Sequence, residues 1–191
     1  MRSKLGELDT LLKRNEYDIV FISETWLKPF YPDCFLIDTH KFSMIRNDRP
    51  IRQGGGVCAI YKNSLASKIS KLTIDVDRCI GFQILAFDIY LTKFKYNRFV
   101  LVYLPPDCAK RLDSMLSLLN IIKKLNVTPD FHVLGDFNLG KISWKGLASF
   151  NLDKPSQLFK DYIDEHNFTQ LINFPTHKHD STLDLIITSQ N

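Results

Sequence analysis

The segment FHVLGDFNL, residues 131–139, constrains the fold more than any other part of the sequence. The segment begins with an apolar run that Gly135 closes, which is typical of a buried β-strand that runs into a turn. Asp136 and Asn138 follow, and in extended backbone they point to one side while Phe137 points into the core. An acid and an amide at the mouth of a buried strand suit a hard cation, a phosphate oxygen or a positioned water. An ordinary turn rich in Asp and Asn explains the same residues without a function.

The composition indicates one globular domain. A chain of 191 residues with 45% hydrophobic and 12% aromatic side chains can build one real core, and two domains would be cramped. The net charge of +4 is compatible with a polyanionic partner and equally with an ordinary surface. Four scattered cysteines without zinc-site spacing predict reduced thiols and an intracellular protein. No apolar run approaches the roughly 18 residues of a membrane span, so no membrane association is expected.

The hydrophobic pattern predicts a layered α+β domain. Helical spacing of apolar residues predicts amphipathic helices over 4–14, 110–125 and 155–166. Strands are predicted at 17–22, 42–45, 57–61, 68–75, 79–90, 98–103, 131–134, 168–172 and 182–188. Because strands with short connections dominate, their ends are expected to converge on one cleft.

Three further polar residues are associated with predicted strands. Glu24 and Tyr103 follow or end apolar strands, and Asp184 lies inside the last one. A second acid placed like Asp136 is what a divalent-metal site needs, because Mg²⁺ is held by one or two carboxylates plus water and phosphate. A solvated glutamate and a core tyrosine whose hydroxyl reaches solvent are the ordinary alternatives.

A basic loop precedes the third predicted strand. Arg46, Arg49 and Arg52 suit phosphate contacts, although a solvated loop explains them equally well. The glycines at 54–56 are not followed by the Gly-Lys-Ser/Thr of a Walker loop, which favours a flexible start to the strand over a phosphate cradle.

Six short segments resemble, in this order, the motifs of the endonuclease/exonuclease/phosphatase family. They are SETWL at 23–27, GGGV at 54–57, VYLPP at 102–106, LGDFN at 134–138, PT at 175–176 and TLDLIIT at 182–188. The residues of these motifs and their spacing are most similar to those of the apurinic-like endonuclease domain of non-LTR, LINE-type retrotransposons. The resemblance covers essentially the whole chain and implies a four-layer α/β sandwich, with two packed mixed β-sheets flanked by helices.

The resemblance also implies Mg²⁺-dependent hydrolysis of a phosphodiester that nicks DNA, with Mn²⁺ as a substitute for Mg²⁺. By motif, Glu24 is implied as the metal ligand. Asp136 is implied to orient or deprotonate the attacking water, and Asn138 to hold the phosphate or that water. Tyr103 is implied to donate to a phosphate oxygen, and Asp184 to orient a catalytic histidine. A metal that polarises the phosphoryl oxygen and an acid–amide pair that places the nucleophile agree with these residue types.

Substrate contacts are assigned more weakly, to Arg46, Arg49, Arg52 and Thr176. The arginines would add sequence-independent contacts to the phosphate backbone. DNA is the implied partner, together with a reverse transcriptase of the same retroelement polyprotein, and no small-molecule cofactor is expected. A functional retroelement endonuclease is expected in the nucleus.

The sequence also departs from the family pattern. The family begins with a strand that carries an asparagine near the metal and ends with a strand bearing Ser-Asp-His, and residues 1–191 contain neither. We therefore expect a single domain over 1–191, truncated at both ends and impaired, because losing one member of a cooperative catalytic set costs orders of magnitude. His177 and His179 are expected to be solvated loop residues. Two alternatives stay open: an inactive nucleic-acid-binding remnant of the same fold, and a small-molecule phosphatase of the superfamily.

Overall fold

The computed structural model describes residues 4–49, 54–75, 79–128, 130–144 and 151–189. These residues form two β-sheets stacked face to face, with helices on both outer surfaces. The order of layers is helix, three-stranded sheet, six-stranded sheet, helices. This is the α+β sandwich that the sequence predicts.

The three-stranded sheet is antiparallel, in the order β1-β3-β2. Its strands are β1 (Ile19–Ser23), β2 (Phe42–Asn47) and β3 (Val57–Lys62). The central strand β3 is buried on both faces because successive side chains alternate. Cys58 and Ile60 pack on the outer side, whereas Val57 and Ala59 pack against the second sheet. One short apolar run thus contributes to two separate cores.

Helix α1 (Leu5–Lys13) covers the outer face of this sheet. Its buried residues Leu8 and Leu12 are four positions apart and therefore lie on the same helix face. They pack with Leu27, Leu36, Ile37, Phe42, Cys58 and Ile60. The helix predicted over 4–14 is confirmed.

The six-stranded sheet has the order β4-β5-β6-β7-β9-β8, and only β6 and β7 are parallel neighbours. Its strands are β4 (Ile69–Lys71), β5 (Gln83–Tyr90), β6 (Tyr96–Tyr103), β7 (Phe131–Asp136), β8 (Phe168–Gln170) and β9 (Asp184–Ser189). All residues of β5 from Gln83 to Ile89 are buried, as expected for a strand covered on both sides.

Three helices cover the outer face of the six-stranded sheet: α2 (Pro106–Ala109), α3 (Leu112–Leu125) and α4 (Lys154–Glu165). The helices predicted over 110–125 and 155–166 correspond to α3 and α4. Helix α4 begins after Asp153, whose Oδ1 accepts a hydrogen bond from the Ser156 backbone N–H at 3.0 Å, and Pro155 lies in its first turn. Among the described residues, no helix has both the length and the apolar character that crossing a membrane requires.

Three predicted elements differ from the structure. The strand predicted over 68–75 shrinks to β4, because a 3₁₀ helix occupies Asn63–Lys68. The strand predicted over 79–90 begins only at Gln83. The strand predicted over 182–188 begins two residues later, so Asp184 is the first residue of β9. Its backbone N–H donates to the side chain of Thr176 at 3.0 Å, so the ladder of the sheet begins at Asp184 itself.

A buried ion pair joins β5 and β6 on the helix-covered face. Arg98 Nε and Nη2 donate to the two carboxylate oxygens of Asp88 at 2.7 and 2.9 Å, and Nη1 donates to the Leu125 carbonyl at 3.0 Å. Asp88 is 2% and Arg98 9% exposed. The guanidinium therefore pairs with a buried carboxylate and also donates a hydrogen bond to a carbonyl in the last turn of α3.

We expect Asp88→Asn to lower the free energy of unfolding by about 3 kcal/mol, because it leaves the Arg98 charge buried without a counter-ion. The matched control is Asp164→Asn, which breaks the exposed Lys160–Asp164 pair on α4 and is expected to cost less than about 1 kcal/mol. Urea unfolding of both variants measures the difference. Equal effects would show that the Asp88–Arg98 pair contributes no more than a surface pair.

Candidate active site

One row of polar side chains crosses four neighbouring strands of the six-stranded sheet. Gln83 on β5 is opposite Tyr103 on β6, Tyr103 is beside Asp136 on β7, and Asp136 is opposite Asp184 on β9. Residues in register point to the same face, and Tyr103 and Leu134, two positions before Asp136, belong to the core between the sheets. The row therefore lies on the inner face of the sandwich. Because adjacent strands are about 4.8 Å apart, these side chains are close neighbours.

A glycine allows the row to form. Gly135 pairs with Val102 in the register of β6 and β7, and a Cβ built on it would lie 1.9 Å from the Val102 carbonyl oxygen. Its φ of +136° is also one that residues with side chains rarely adopt. Only glycine lets the two strands approach this closely directly before Asp136.

Asn138 does not continue the strand. Its φ is +52°, so the prediction that Asp136 and Asn138 point to one side of an extended chain is wrong. The Asn138 backbone N–H instead donates to Asp136 Oδ1 at 3.1 Å, which makes an Asx-type turn, and its Nδ2 donates to the Leu104 carbonyl at 3.0 Å. Phe137 is fully buried, as predicted. These hydrogen bonds fix the orientation of the Asp136 carboxylate and of the Asn138 side-chain amide.

The other sheet contributes Glu24. This residue follows the last residue of β1, and the Tyr103 hydroxyl donates a hydrogen bond to its carboxylate. Glu24 has a φ of +54°, which turns the chain sharply away from the strand. The backbone N–H groups of Thr25 and Trp26 then donate to the carbonyls of Gly56 and Gly55 at 3.1 and 2.9 Å.

The turn that follows Glu24 packs against the three glycines at 54–56. All three glycines have positive φ, between +73° and +87°. A Cβ on Gly56 would lie 2.4 Å from Thr25 Oγ1, and one on Gly55 would lie 2.4 Å from Gln83 Oε1. Glycines are therefore needed here for close approach between the Glu24 turn and the polar row.

The surroundings of Asp136 raise the pKa of its carboxyl group. Burial, then the charge of Asp184 and more weakly that of Glu24, raise the pKa of Asp136 from 3.8 to about 6, against the lowering effect of the Asn138 N–H. Burial and the hydrogen bond to Glu24 raise the pKa of Tyr103, so its hydroxyl stays protonated and acts as a donor.

The residues present fit a divalent cation. Glu24, Asp136 and Asp184 place carboxylates at one edge of the sandwich, and the pKa of Asp136 is raised first by burial and then by the charges of Asp184 and Glu24, which a cation would offset. Within the ranges given above, no three His, Cys, Asp or Glu side chains form a complete metal-binding group. A hard cation such as Mg²⁺ would be held by one or two of these carboxylates together with waters or substrate oxygens.

The predicted arginines differ in their surroundings. Arg46 lies in β2 and not in the predicted loop, and its guanidinium donates to the Tyr31 carbonyl at 2.6 Å and lies 3.3 Å from an oxygen of Asp48, so it links the end of β2 to the segment that contains Tyr31. Arg49 lies against Gly55, and its charge opposes the rise in the pKa of Tyr103. Arg52 lies outside the described residues. Contact of all three with a substrate stays a prediction.

Thr176 has a structural contact that its motif did not indicate. Its Oγ1 accepts hydrogen bonds from the backbone N–H groups of Leu183 and Asp184 at 2.9 and 3.0 Å. It therefore fixes the start of β9 and the position of the Asp184 backbone. Its contact with substrate also stays a prediction.

None of the five histidines, all of which lie in described residues, hydrogen-bonds Asp184. His132 shares a hydrogen bond of 2.9 Å with Thr188, and His166 one of 3.0 Å with the Tyr162 carbonyl. His177 and His179 are exposed, as expected, and their rings lie 5.1 Å apart. In the described part of the chain, Asp184 therefore orients no imidazole.

Two residues of the site region escaped the sequence analysis. Gln83 belongs to the polar row, and its Oε1 accepts from the Gly56 backbone N–H at 3.4 Å. Asn47 Nδ2 donates to the Ile84 carbonyl at 2.9 Å and so ties the two sheets together. A polar residue at the start of an otherwise apolar strand was the only available signal for Gln83.

We expect Gly56→Ala to destabilise the chain by at least about 2 kcal/mol, because a side chain at this positive φ also collides with Thr25. The matched control is Gly6→Ala in α1, where an added Cβ meets nothing within 4 Å and is expected to stabilise by up to about 1 kcal/mol. Urea unfolding would test both, and a tolerated Gly56→Ala would contradict the close packing described here.

We expect Asp136→Asn to stabilise the fold more at pH 8 than at pH 5 in metal-free buffer. The folded chain holds the Asp136 proton more tightly than the unfolded chain, with a pKa of about 6 against 3.8. This contribution to stability is therefore complete below pH ~4 and is lost as the pH rises through ~6. Thermal unfolding with EDTA across this range measures it, and a gain that does not depend on pH would contradict the raised pKa.

Comparison with known proteins supports the assignment that the motifs suggest. Residues 97–191 match the family model Exo_endo_phos_2, described as "Endonuclease-reverse transcriptase". This range contains Tyr103, Asp136, Asn138 and Asp184. No curated protein matches the sequence significantly.

Solved structures share the fold over nearly the whole chain. The 3′ phosphatase NExo from Neisseria, bound to a product DNA hairpin, superposes with a TM-score of 0.69 at 14% identity, covering 98% of this chain and 82% of that one. The AP endonuclease LMAP from Leishmania major superposes with a TM-score of 0.70 at 13% identity, covering 99% of this chain and 74% of that one.

A third similar structure is the endonuclease domain of TRAS1, a telomere-specific non-LTR retrotransposon. Its TM-score is 0.67 at 16% identity, with 97% of this chain and 78% of that one covered. The family model thus identifies residues 97–191 as belonging to the endonuclease/exonuclease/phosphatase family, and the solved structures show that nearly the whole chain has the same fold.

Proposed function

We propose that this chain hydrolyses phosphodiester bonds in DNA, with Mg²⁺ or Mn²⁺ as cofactor, as a nicking endonuclease of retrotransposon type. The observation that carries the proposal is the row of Tyr103, Asp136 and Asp184 on the inner face of one sheet, with Glu24 reaching it from the other. This arrangement combines carboxylates for a hard cation with a neutral donor for a phosphate oxygen.

Asp136 is the proposed group that orients and deprotonates the attacking water. With a pKa of about 6 it is mostly ionised at neutral pH, and it is basic enough to take a proton. The Asn138 backbone N–H holds one carboxylate oxygen and leaves the other for the water. The Asn138 side chain is anchored to Leu104 through Nδ2 and is proposed to hold the phosphate or the water through its Oδ1.

Glu24 is the proposed metal ligand. When bound, the cation supplies polarisation of the phosphoryl oxygen and stabilisation of the leaving oxygen. The Tyr103 hydroxyl, which stays protonated, orients the Glu24 carboxylate and is proposed to donate to a phosphate oxygen when substrate is present. Arg49 beside this pair, together with Arg46, Arg52 and Thr176, would add contacts to the phosphate backbone.

A second candidate function is DNA binding without turnover. It is favoured by one observation, that no histidine contacts Asp184 in the described residues. If Asp184 needs an imidazole for catalysis, the 191-residue chain would nick slowly or not at all, since loss of one cooperating group costs orders of magnitude. We propose impaired catalysis for this chain as a single domain, with a reverse transcriptase of the same polyprotein as partner and the nucleus as its place of action.

The decisive experiment is nicking of supercoiled plasmid by the purified 191-residue chain. We expect slow nicking that requires Mg²⁺ or Mn²⁺, stops with EDTA, and falls at least about 100-fold in Asp136→Ala. Glu24→Gln is expected to raise the metal concentration needed. Glu165→Gln, at the exposed end of α4, is the matched control and should leave the rate unchanged.

Two other outcomes would reject the proposed chemistry. DNA binding without any metal-dependent nicking would support the second candidate. Metal-dependent hydrolysis of a small phosphate ester that a short DNA duplex does not inhibit would indicate a small-molecule phosphatase.

A further inference from the structure

Trp26 is a large aromatic residue that the fold keeps partly in solvent beside the candidate metal ligand. It lies two residues after Glu24 and is 48% exposed. Its φ of +57° is one that bulky residues rarely adopt. Burying an indole is normally favourable, so a half-exposed tryptophan held in a strained conformation calls for a functional explanation.

The surroundings of Trp26 fix its position. Its backbone N–H donates to the Gly55 carbonyl at 2.9 Å. Its indole lies along Gly54, where the ring carbons Cε2 and Cζ2 would be 3.7 Å from a Cβ built on the glycine. Because glycine has no side chain, one part of the indole rests on backbone while the rest faces solvent. The ring is therefore available to a ligand at little additional cost in conformational entropy.

Arg49 lies against the same glycine segment, at Gly55. Its Cδ would be 2.9 Å from a Cβ built on Gly55, and its charge acts on Tyr103 in the polar row. In the described residues no carboxylate pairs with Arg49, whereas Arg46 has both Asp33 and Asp48 as partners. An aromatic ring and a cation thus flank Gly54 and Gly55 at the edge of the acidic site.

We propose that the indole of Trp26 stacks on a nucleobase adjacent to the phosphate at the active site, while Arg49 contacts a neighbouring backbone phosphate. The inference rests on the proposed function and deepens it, because it assigns the substrate class. An indole face can stack only on a base whose own face is uncovered. The site therefore takes a nucleic-acid strand with an unstacked base, such as a single-stranded or frayed segment, in preference to a small phosphate ester.

Trp26 can report on its own contact. The chain contains two tryptophans, Trp26 and Trp144. In a Trp144→Phe variant, the remaining fluorescence comes from Trp26 alone. We expect a single-stranded DNA oligonucleotide to quench this fluorescence in EDTA, where no metal-dependent hydrolysis occurs. An oligonucleotide of equal length with abasic sites throughout should bind more weakly and leave the fluorescence nearly unchanged.

Three variants of the otherwise natural chain test the energetic contribution. Trp26→Ala is expected to weaken single-strand binding, measured by fluorescence anisotropy of labelled DNA, by about 5- to 100-fold, the range for one stacked base. Trp26→Phe should retain most of the affinity, since it keeps an aromatic face. Phe94→Ala removes an aromatic side chain that is 87% exposed in the β5–β6 turn and should leave binding unchanged. Circular dichroism of each variant verifies that it is folded.

Equal quenching by normal and abasic strands, or unchanged affinity in folded Trp26→Ala, would overturn the inference. The binding measurements do not depend on turnover, so they separate this inference from the proposed chemistry. Quenching by bases without plasmid nicking would leave the inference standing and reject the proposed hydrolysis. Plasmid nicking without quenching would reject the inference alone.

Discussion

The hydrogen bond from Tyr103 to Glu24 is the contact on which the candidate site depends, because it joins the two sheets at the end of the sandwich where the polar row lies. Behind it the sheets are held apart by aromatic packing. The rings of Phe21, Phe87 and Phe99 stack with centroids 5.6 to 6.1 Å apart. Phe21 comes from the three-stranded sheet and the other two from the six-stranded sheet. This packing sets the spacing across which a phenol on one sheet can reach a carboxylate on the other.

Unusual backbone conformations are concentrated around this contact. Glu24, Trp26 and Asn138 have positive φ, as do Gly135 and the three glycines before β3. Such conformations are unfavourable for residues with side chains, typically by about 1–3 kcal/mol each, and persist only where the surrounding structure enforces them. Here the enforcing structure is the end of two well-packed sheets. These conformations place the carboxylate of Glu24, the side-chain amide of Asn138 and the indole of Trp26 at positions that a regular strand would not give them.

The charged groups of the core and those of the candidate site differ in how well their charges are compensated. The buried pair of Asp88 and Arg98 is neutral as a unit, is fully hydrogen-bonded and supports the helix-covered core. At the site, by contrast, burial and then the charges of Asp184 and Glu24 raise the pKa of Asp136 to about 6, so this carboxylate lacks a compensating partner. In the proposed function, a bound cation would offset the charge of the carboxylates, and Arg49 would contact a phosphate of the nucleic acid. The buried ion pair and the polar row of the candidate site thus lie on opposite faces of the six-stranded sheet.

The sequence by itself determined the layers of the fold. Apolar spacing predicted α1, α3 and α4 and most of the strands, because periodicity is a local property that a window of residues reveals. The motifs also identified Glu24, Tyr103, Asp136 and Asp184 as residues to examine together. Only the tertiary structure decided the rest. Gln83 joins the row through the register of two strands, and the different surroundings of Arg46 and Arg49 depend on side chains from other elements. The turn at Asn138 likewise needs the Leu104 carbonyl, so these features follow from contacts between distant segments that no local pattern encodes.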